Sequence, residues 1–307
     1  MVSSPRPPVS IVGVACLLPG AHGPEALYER LLDRQESFAT LPLERWDPDV
    51  YGGDLPQSGR AQRFDWGAVI EEVDLDWRAL HLPPMQAERM HRVEKLMLAT
   101  MSEALADAGV RPDGGPFERG GIFIASATLG PDPATDHGRR IRRFELAAPV
   151  SEALAERLPA QKADIDVIIE QLFDLAAPPI HPDSMAASAS VIAGRLANLY
   201  DFRGGHCAFD AGMSSSLAAV DRACTVLGTG ACDIALVCGV SPLLTPSSIL
   251  SFAHRGYLGQ GNPRPFDPSS PGTLLGEGCA AVVLMRHGDT RGRRVYACIE
   301  GIGSSVA

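Results

Sequence analysis

The chain has 307 residues, 45% of them hydrophobic, with 27 Lys plus Arg against 37 Asp plus Glu and a formal net charge of −10. That length and apolar content are enough for a sizeable core and exclude a disordered or fibrous chain, and the acidic balance argues against nucleic acid or an anionic membrane surface as the main partner. There is no run of roughly 18 apolar residues of the kind a membrane span needs, and the opening MVSSPRPPVS has no apolar signal core, so a cytoplasmic protein is expected.

In chain order, Val9 to Cys16 is a short β-rich run between prolines and Pro19-Gly20, the pattern of a buried strand leading into a loop. Residues 24–32 have helical periodicity, and 37–76, rich in Pro, Gly, Asp and Trp, read as a long loop. The strongest helix is expected over 84–108, where Met90, Val93, Leu96, Met97, Met101 and Leu105 recur at steps of three and four until Gly109 stops the run. GIFIAS at 121–126 reads as a second buried strand.

Residues 128–183 are a Pro/Ala-rich excursion with charged helical stretches, expected as an insertion in a single domain over 1–307. Its basic run, Arg139, Arg140, Arg142 and Arg143, reads as a solvated helix face. A helix is expected over 185–200, a strand over 207–211, a helix over 214–227 and a strand over 233–240. Two last strands, 278–285 and 295–303, look like a hairpin across the polar turn 286–294. Strands alternating with helices indicate an α/β fold around a mixed, largely parallel sheet with that hairpin as an antiparallel edge.

The seven cysteines (Cys16, Cys207, Cys224, Cys232, Cys238, Cys279 and Cys298) form no C-x-x-C pair and lie mostly in apolar runs. They read as buried reduced thiols, neither a disulfide framework nor a zinc site. Asp74/Asp76 and Asp164/Asp166 are surface acid pairs with no third ligand, so no metal is expected. Gly228-Thr229-Gly230 lacks a third glycine and reads as a turn.

The most informative stretch is Asp210-Ala211-Gly212-Met213-Ser214-Ser215-Ser216-Leu217. Physically it is a strand turning through small residues into a helix with three serines in its first turn. Such an elbow holds Met213 at a helix N-terminus, where free N–H groups and the helix dipole favour a thiolate or an oxyanion. Ser214 is expected to cap the helix.

This elbow resembles that of the β-ketoacyl synthases of polyketide and fatty-acid synthesis, which carry Asp-Thr-Ala-Cys-Ser-Ser-Ser-Leu here. Other features match in order: Ile11-Val12-Gly13 with Cys16 and Pro19-Gly20, Arg45-Trp46-Asp47, Ala106-Asp107-Ala108-Gly109 before the GIFI strand, Pro265-Phe266-Asp267, and Gly276-Glu277-Gly278 before Val-Val-Leu. The run 193–204 leans toward the iterative, polyunsaturated fatty-acid type.

The resemblance implies a thiolase-like fold of two similar halves, of which this chain carries the N-terminal one, the C-terminal half being absent. It implies a decarboxylating Claisen condensation on substrates carried by the phosphopantetheine of an acyl carrier protein, with no cofactor of the chain's own. The reaction requires a cysteine thiolate, an oxyanion hole partly made by the elbow (Gly212, Ser214, Ser215 and Ser216), and two histidines. Met213 stands where the cysteine belongs, and a thioether has no proton to lose. The family's histidines come from His-Gly-Thr-Gly-Thr and Asn-x-Gly-His, and none of His22, His81, His91, His137, His181, His206, His254 or His287 has such a setting. Met213 reads either as a relic or as a mimic of an acylated cysteine. The implied partners are acyl carrier protein, an active ketosynthase or a chain supplying the other half, or a second copy through 205–211.

Overall fold

The computed structural model describes residues 7–52, 64–71, 73, 75–112, 114–126, 136–176, 189–241, 244–259, 264 and 266–305. Asp74, His181, Pro265 and the start of the helix expected over 185–200 lie outside them, as do the side chains of His137, Arg139 and Arg140. The chain divides into two compact units, one comprising Met1–Ala127 with Ala187–Ala307 and the other Thr128–Ala186.

The strands of the larger unit are β1 (Val9–Leu18), β2 (Ala21–His22), β3 (Ala39–Thr40), β4 (Trp66–Gly67), β5 (Gly120–Ser126), β6 (His206–Phe209), β7 (Ile234–Ser241), β8 (Gly278–Arg286) and β9 (Ala297–Ile299). Its helices are α1 (Pro24–Leu32), α2 (Pro48–Tyr51), α3 (Pro84–Arg89), α4 (Arg92–Asp107), α7 (Ala189–Leu199), α8 (Ser215–Gly228) and α9 (Pro246–His254), with α5 (Asp136–Arg157) and α6 (Lys162–Ala176) in the smaller unit. The main sheet runs β2-β1-β8-β7-β5-β6, and β9 also pairs with β1. Among the described residues only β5–β6 and β5–β7 are parallel and the other four strand pairings are antiparallel, so the sheet is mixed and mainly antiparallel rather than largely parallel.

The expected hairpin of the last two strands does not form. β8 lies inside the sheet between β1 and β7, and β9 pairs with the other edge of β1, Val9 opposite Ile299 and Ser10 opposite Cys298. The ten-residue connection from 287 to 296 carries none of the two-residue turn chemistry that fixes a hairpin register, and the first strand, paired with β8 on one edge and with β9 on the other, separates the two. His287 N–H donates to Pro8 O at 2.9 Å and Tyr296 N–H to Ile11 O at 2.9 Å, holding the connection over the end of β1.

Alternate residues of the central strands serve two cores. Ile122, Ile124, Leu236 and Cys238 join α4 and α7 on one face, while Phe123, Ala125, Ala235 and Val237 join α8 on the other. In α4, Leu96, Met97, Met101, Ala104 and Leu105 are fully buried. It approaches β1 so closely that a Cβ on Gly13 would lie 2.4 Å from Ala104 O. Its end is a Schellman turn: Gly109, at φ 69°, donates to Ala106 O at 2.9 Å and Val110 to Leu105 O at 2.8 Å. The single helix expected over 84–108 is instead α3 and α4, broken at Met90 and His91, both in extended backbone; His91 Nδ1 caps α4 by accepting from Val93 N–H at 3.3 Å.

The smaller unit is a helical pair in which Arg143 is buried and joins Asp174 at 2.6 Å and Glu170 at 3.7 Å, and Ser151 donates to Asp166. Arg143 is therefore not part of a solvated face, although Arg142 beside it is exposed. Cys207 and Cys298 are exposed, contrary to the expectation of buried thiols; Cys207 lies on β6, which among the described residues has a partner strand on one side only. Burial pushes the thiols of Cys16 and Cys232 above their ordinary range. That of Cys238 is pushed well above it, by the hydrogen bond to Cys279 Sγ at 3.7 Å and by burial, leaving these groups protonated and unreactive.

Two expectations follow. Gly13→Ala forces α4 away from β1 against a backbone oxygen and lowers stability by about 2 kcal/mol, read as a lower urea midpoint in equilibrium unfolding. Asp233, bonded by the Arg119 and Arg286 guanidiniums, has its carboxyl held below the usual carboxylate range. A depressed folded value means stability that is present above the unfolded value of about 3.9 and is lost as pH falls through the folded one. The difference in urea midpoint between wild type and Asp233→Asn should therefore be full at pH 7 and close below pH 4.

Candidate elbow site

The elbow forms between β6 and α8. Gly212 turns the chain at φ 58°, a left-handed conformation that costs a side-chain-bearing residue about 1 kcal/mol. Asp210 Oδ1 accepts from Gly212 N–H at 3.2 Å. The staple is Ser215, which is buried; its Oγ accepts from Ala211 N–H at 2.8 Å and donates to Gly212 O at 2.6 Å. Ser214 occupies the N-cap position but makes no side-chain capping bond, so the capping role expected of it is not performed by its hydroxyl. Ser215, one residue on and pointing back, closes the turn instead.

Ser216 fixes the height of the elbow over the sheet. It lies against β7 at Gly239, where a Cβ would come within 2.5 Å of Ser216 Oγ. Gly239 was not singled out from sequence, although a glycine inside the apolar run Ile234–Ser241 is the usual mark of a close backbone approach. Met213 projects from the tip, 90% exposed, with Leu217 one turn along at 73%.

The second motif lies along the strand that neighbours β7. Gly278 opens β8 opposite Ser241, and Gly239 faces Ala280 two residues further on. Ser241 Oγ donates to Gly276 O at 3.3 Å. Phe266 is fully exposed with φ 64°, and Asp267 accepts from both Ser269 N–H at 2.8 Å and Ser269 Oγ–H at 2.7 Å, bonds that hold its carboxyl below the ordinary range. Glu277 is engaged by loop residues. Its buried carboxylate meets Arg92 at 2.9 Å and Arg45 at 3.3 Å and accepts from Ile70 N–H at 2.9 Å, while its own N–H reaches Ala68 O at 2.8 Å. It is a clamp between loops.

The histidines lie in other settings. His206 and His254 are exposed, His22 bonds Glu103 at 2.7 Å, and His287 Nδ1 bonds Ser10 at 2.9 Å. Among the described residues no group of three or more His, Cys, Asp or Glu is placed to hold a metal ion, and no helix is long and apolar enough to cross a membrane.

Residues 6–290 match the β-ketoacyl synthase N-terminal domain. The chain belongs to the β-ketoacyl synthase family. It is 29% identical over 299 residues to a phenolphthiocerol/phthiocerol polyketide synthase of Mycobacterium tuberculosis, covering 96% of this chain and 14% of that protein. It is 29% identical over 297 residues to polyketide synthase ThaG of Burkholderia thailandensis, covering 95% of this chain and 5% of the relative. The chain thus spans a small fraction of these much longer relatives. Its thiolase-like ketosynthase fold is shared with the oxazolomycin ketosynthase domain OzmH KS7 of Streptomyces albus, at TM-score 0.69 and 25% identity over 94% of this chain and 45% of that one. It is shared too with the PfaC keto synthase–chain length factor, at TM-score 0.78 and 24% identity over 95% and 31%.

Within this β-ketoacyl synthase domain the Glu277 clamp gives a direct test. Glu277→Gln leaves two guanidiniums facing a neutral amide in a buried setting and lowers stability by about 3 kcal/mol, measured by urea unfolding, with the far-ultraviolet circular dichroism of the folded state unchanged.

Proposed function

We propose that this β-ketoacyl synthase-like chain does not itself condense acyl units and serves as a scaffold or acyl-chain-shaping partner of an active condensing enzyme. It would act in cytoplasmic polyketide or fatty-acid synthesis, meeting substrates on the phosphopantetheine of an acyl carrier protein. The observation that carries this reading is Met213 at the tip of the elbow, presented to solvent by Gly212 and Ser215. A thioether at that point cannot be deprotonated and cannot exchange with a thioester. The polyketide synthases among the relatives support the pathway.

A second reading draws on the exposure of the same face. Met213 and Leu217 are exposed and one edge of β6 pairs with no strand among the described residues, and an open strand edge beside apolar side chains invites another chain. A partner bringing a base to that face would complete a malonyl–carrier-protein decarboxylase that has no need of a nucleophile at 213.

The test uses a medium-chain acyl N-acetylcysteamine thioester in a Cys207→Ser background, since Cys207 is an exposed thiol six residues from the tip. The expected result is no acyl adduct on the peptide containing Met213 and a stoichiometric one with Met213→Cys, read by peptide mass spectrometry. Condensation of acyl and malonyl thioesters by the unmodified chain would sink the proposal. Malonyl–carrier-protein decarboxylation that arises only with a second chain present favours the composite reading.

A further inference from the structure

A cleft of about 460 Å³ opens on the face of the sheet opposite the elbow. It belongs to the face packed by α4 and α7, whereas α8 covers the other. Its volume lies within the range of small-molecule sites. The apolar part of the wall is leucine: Leu80 and Leu82 from the turn before α3, Leu98 from α4 and Leu199 from α7. The polar part includes Arg195 and Asn198, both on α7.

Two features distinguish this cleft from a packing gap. The turn that forms one wall passes through His81 at φ 50°, a left-handed conformation costly for a residue with a Cβ; such strain persists where surrounding structure imposes it, and it clusters at binding sites. Arg195 is also incompletely satisfied: its Nε lies 3.0 Å from Oε1 of the fully buried Glu94, while Nη1 is buried without a hydrogen-bond partner. A buried charged donor left unpaired is costly. An acceptor in the cleft, reached by a small rotation of the guanidinium, would relieve that cost while Glu94 keeps its ion pair through Nε.

We propose that this cleft binds a small amphipathic carboxylate, its aliphatic body against the four leucines and its carboxylate on the Arg195 guanidinium, with Asn198 at the mouth. Planar carboxylate matches the guanidinium fork better than a point cation or a neutral head. The site shares no residue with the elbow and lies across the sheet from it, so occupancy is independent of any acyl chemistry at Met213.

Octanoate, titrated by calorimetry below its micellar range, is the probe; acetate supplies the head alone and octylamine the body with the opposite charge. The expected result is one saturable octanoate site, with acetate at least tenfold weaker and octylamine not bound. Asn198→Trp fills the mouth and leaves the Arg195–Glu94 pair intact; it should weaken octanoate at least tenfold, with the circular dichroism of wild type. Arg195→Lys should also weaken it tenfold, and Asn198→Trp decides the matter if the lysine variant does not fold. No saturable octanoate binding, equal binding of acetate or octylamine, or an unchanged Kd in Asn198→Trp overturns the proposal.

Discussion

β7 has no side chain at Gly239, and the first turn of α8 settles into the space that leaves. A methyl group there would stand 2.5 Å from Ser216 Oγ, so the height of α8 over the sheet, and with it the position of the elbow, is set by a missing atom. The helix uses small residues for the same purpose: Ala219 and Ala223 are fully buried on its sheet-facing side. Close approach lets short side chains make good dispersion contact. It also leaves little freedom for the turn that feeds the helix, so Gly212 must take φ 58° and Ser215 must close the loop through Gly212 O and Ala211 N–H. On the other face Gly13 admits α4 against β1 in the same way. Two helices at backbone range grip the sheet from opposite sides, and the elbow tip inherits their rigidity.

The loops near the start of β8 are held by a different force. Residues 37–52 and 64–71 contain little regular structure, and an apolar contact alone orients such segments poorly. Glu277 supplies direction: one buried carboxylate fixes Arg45, Arg92 and the Ile70 amide at once. Burying a carboxylate carries a desolvation cost of several kcal/mol, offset here by two cations and a backbone donor. Such a clamp stabilises less than an equal volume of leucine would, but it discriminates between registers, because each misplaced loop leaves a charge unpaired. The two arginines remain about a quarter exposed, so their side chains are not wholly withdrawn from water.

Much of this was legible in the sequence because the relevant signals are local. The short apolar runs in Gly120–Ser126 and Ile234–Ser241 and the periodicity of α4 report on single elements, and the elbow motif is contiguous. What was not legible depends on partners distant in the chain. Cys207 sits in an apolar run that reads as interior, yet among the described residues β6 pairs with β5 on one side and with no strand on the other, a fact no window of sequence contains. The pairing of β9 with β1 joins the two ends of the unit and replaces a hairpin that local spacing favoured. The break at Met90–His91 was hidden because Met90 and Val93 continue the apolar rhythm through it, and histidine is an unusual cap. Ser214 and Ser215 are indistinguishable by type; only the turn geometry decides which hydroxyl faces inward.

The elbow also separates fold from chemistry. Its shape comes from Gly212, Ser215 and Gly239, together with the backbone of 210–216. The side chain at its tip contributes almost nothing, since Met213 is 90% exposed. Folding therefore places no demand on residue 213: a thiol, an amide or a thioether would all leave the turn intact. The electrostatics of a helix N-terminus, in contrast, act on whatever side chain stands there, and they can stabilise a thiolate only where there is a proton to lose. A change of side chain at this position leaves the contacts of the turn in place. The Met213 thioether is an apolar group in water, worth roughly 1 to 2 kcal/mol if covered. With Leu217 exposed one turn away, covering the tip is favourable on hydrophobic grounds alone, whatever chemistry the elbow carries.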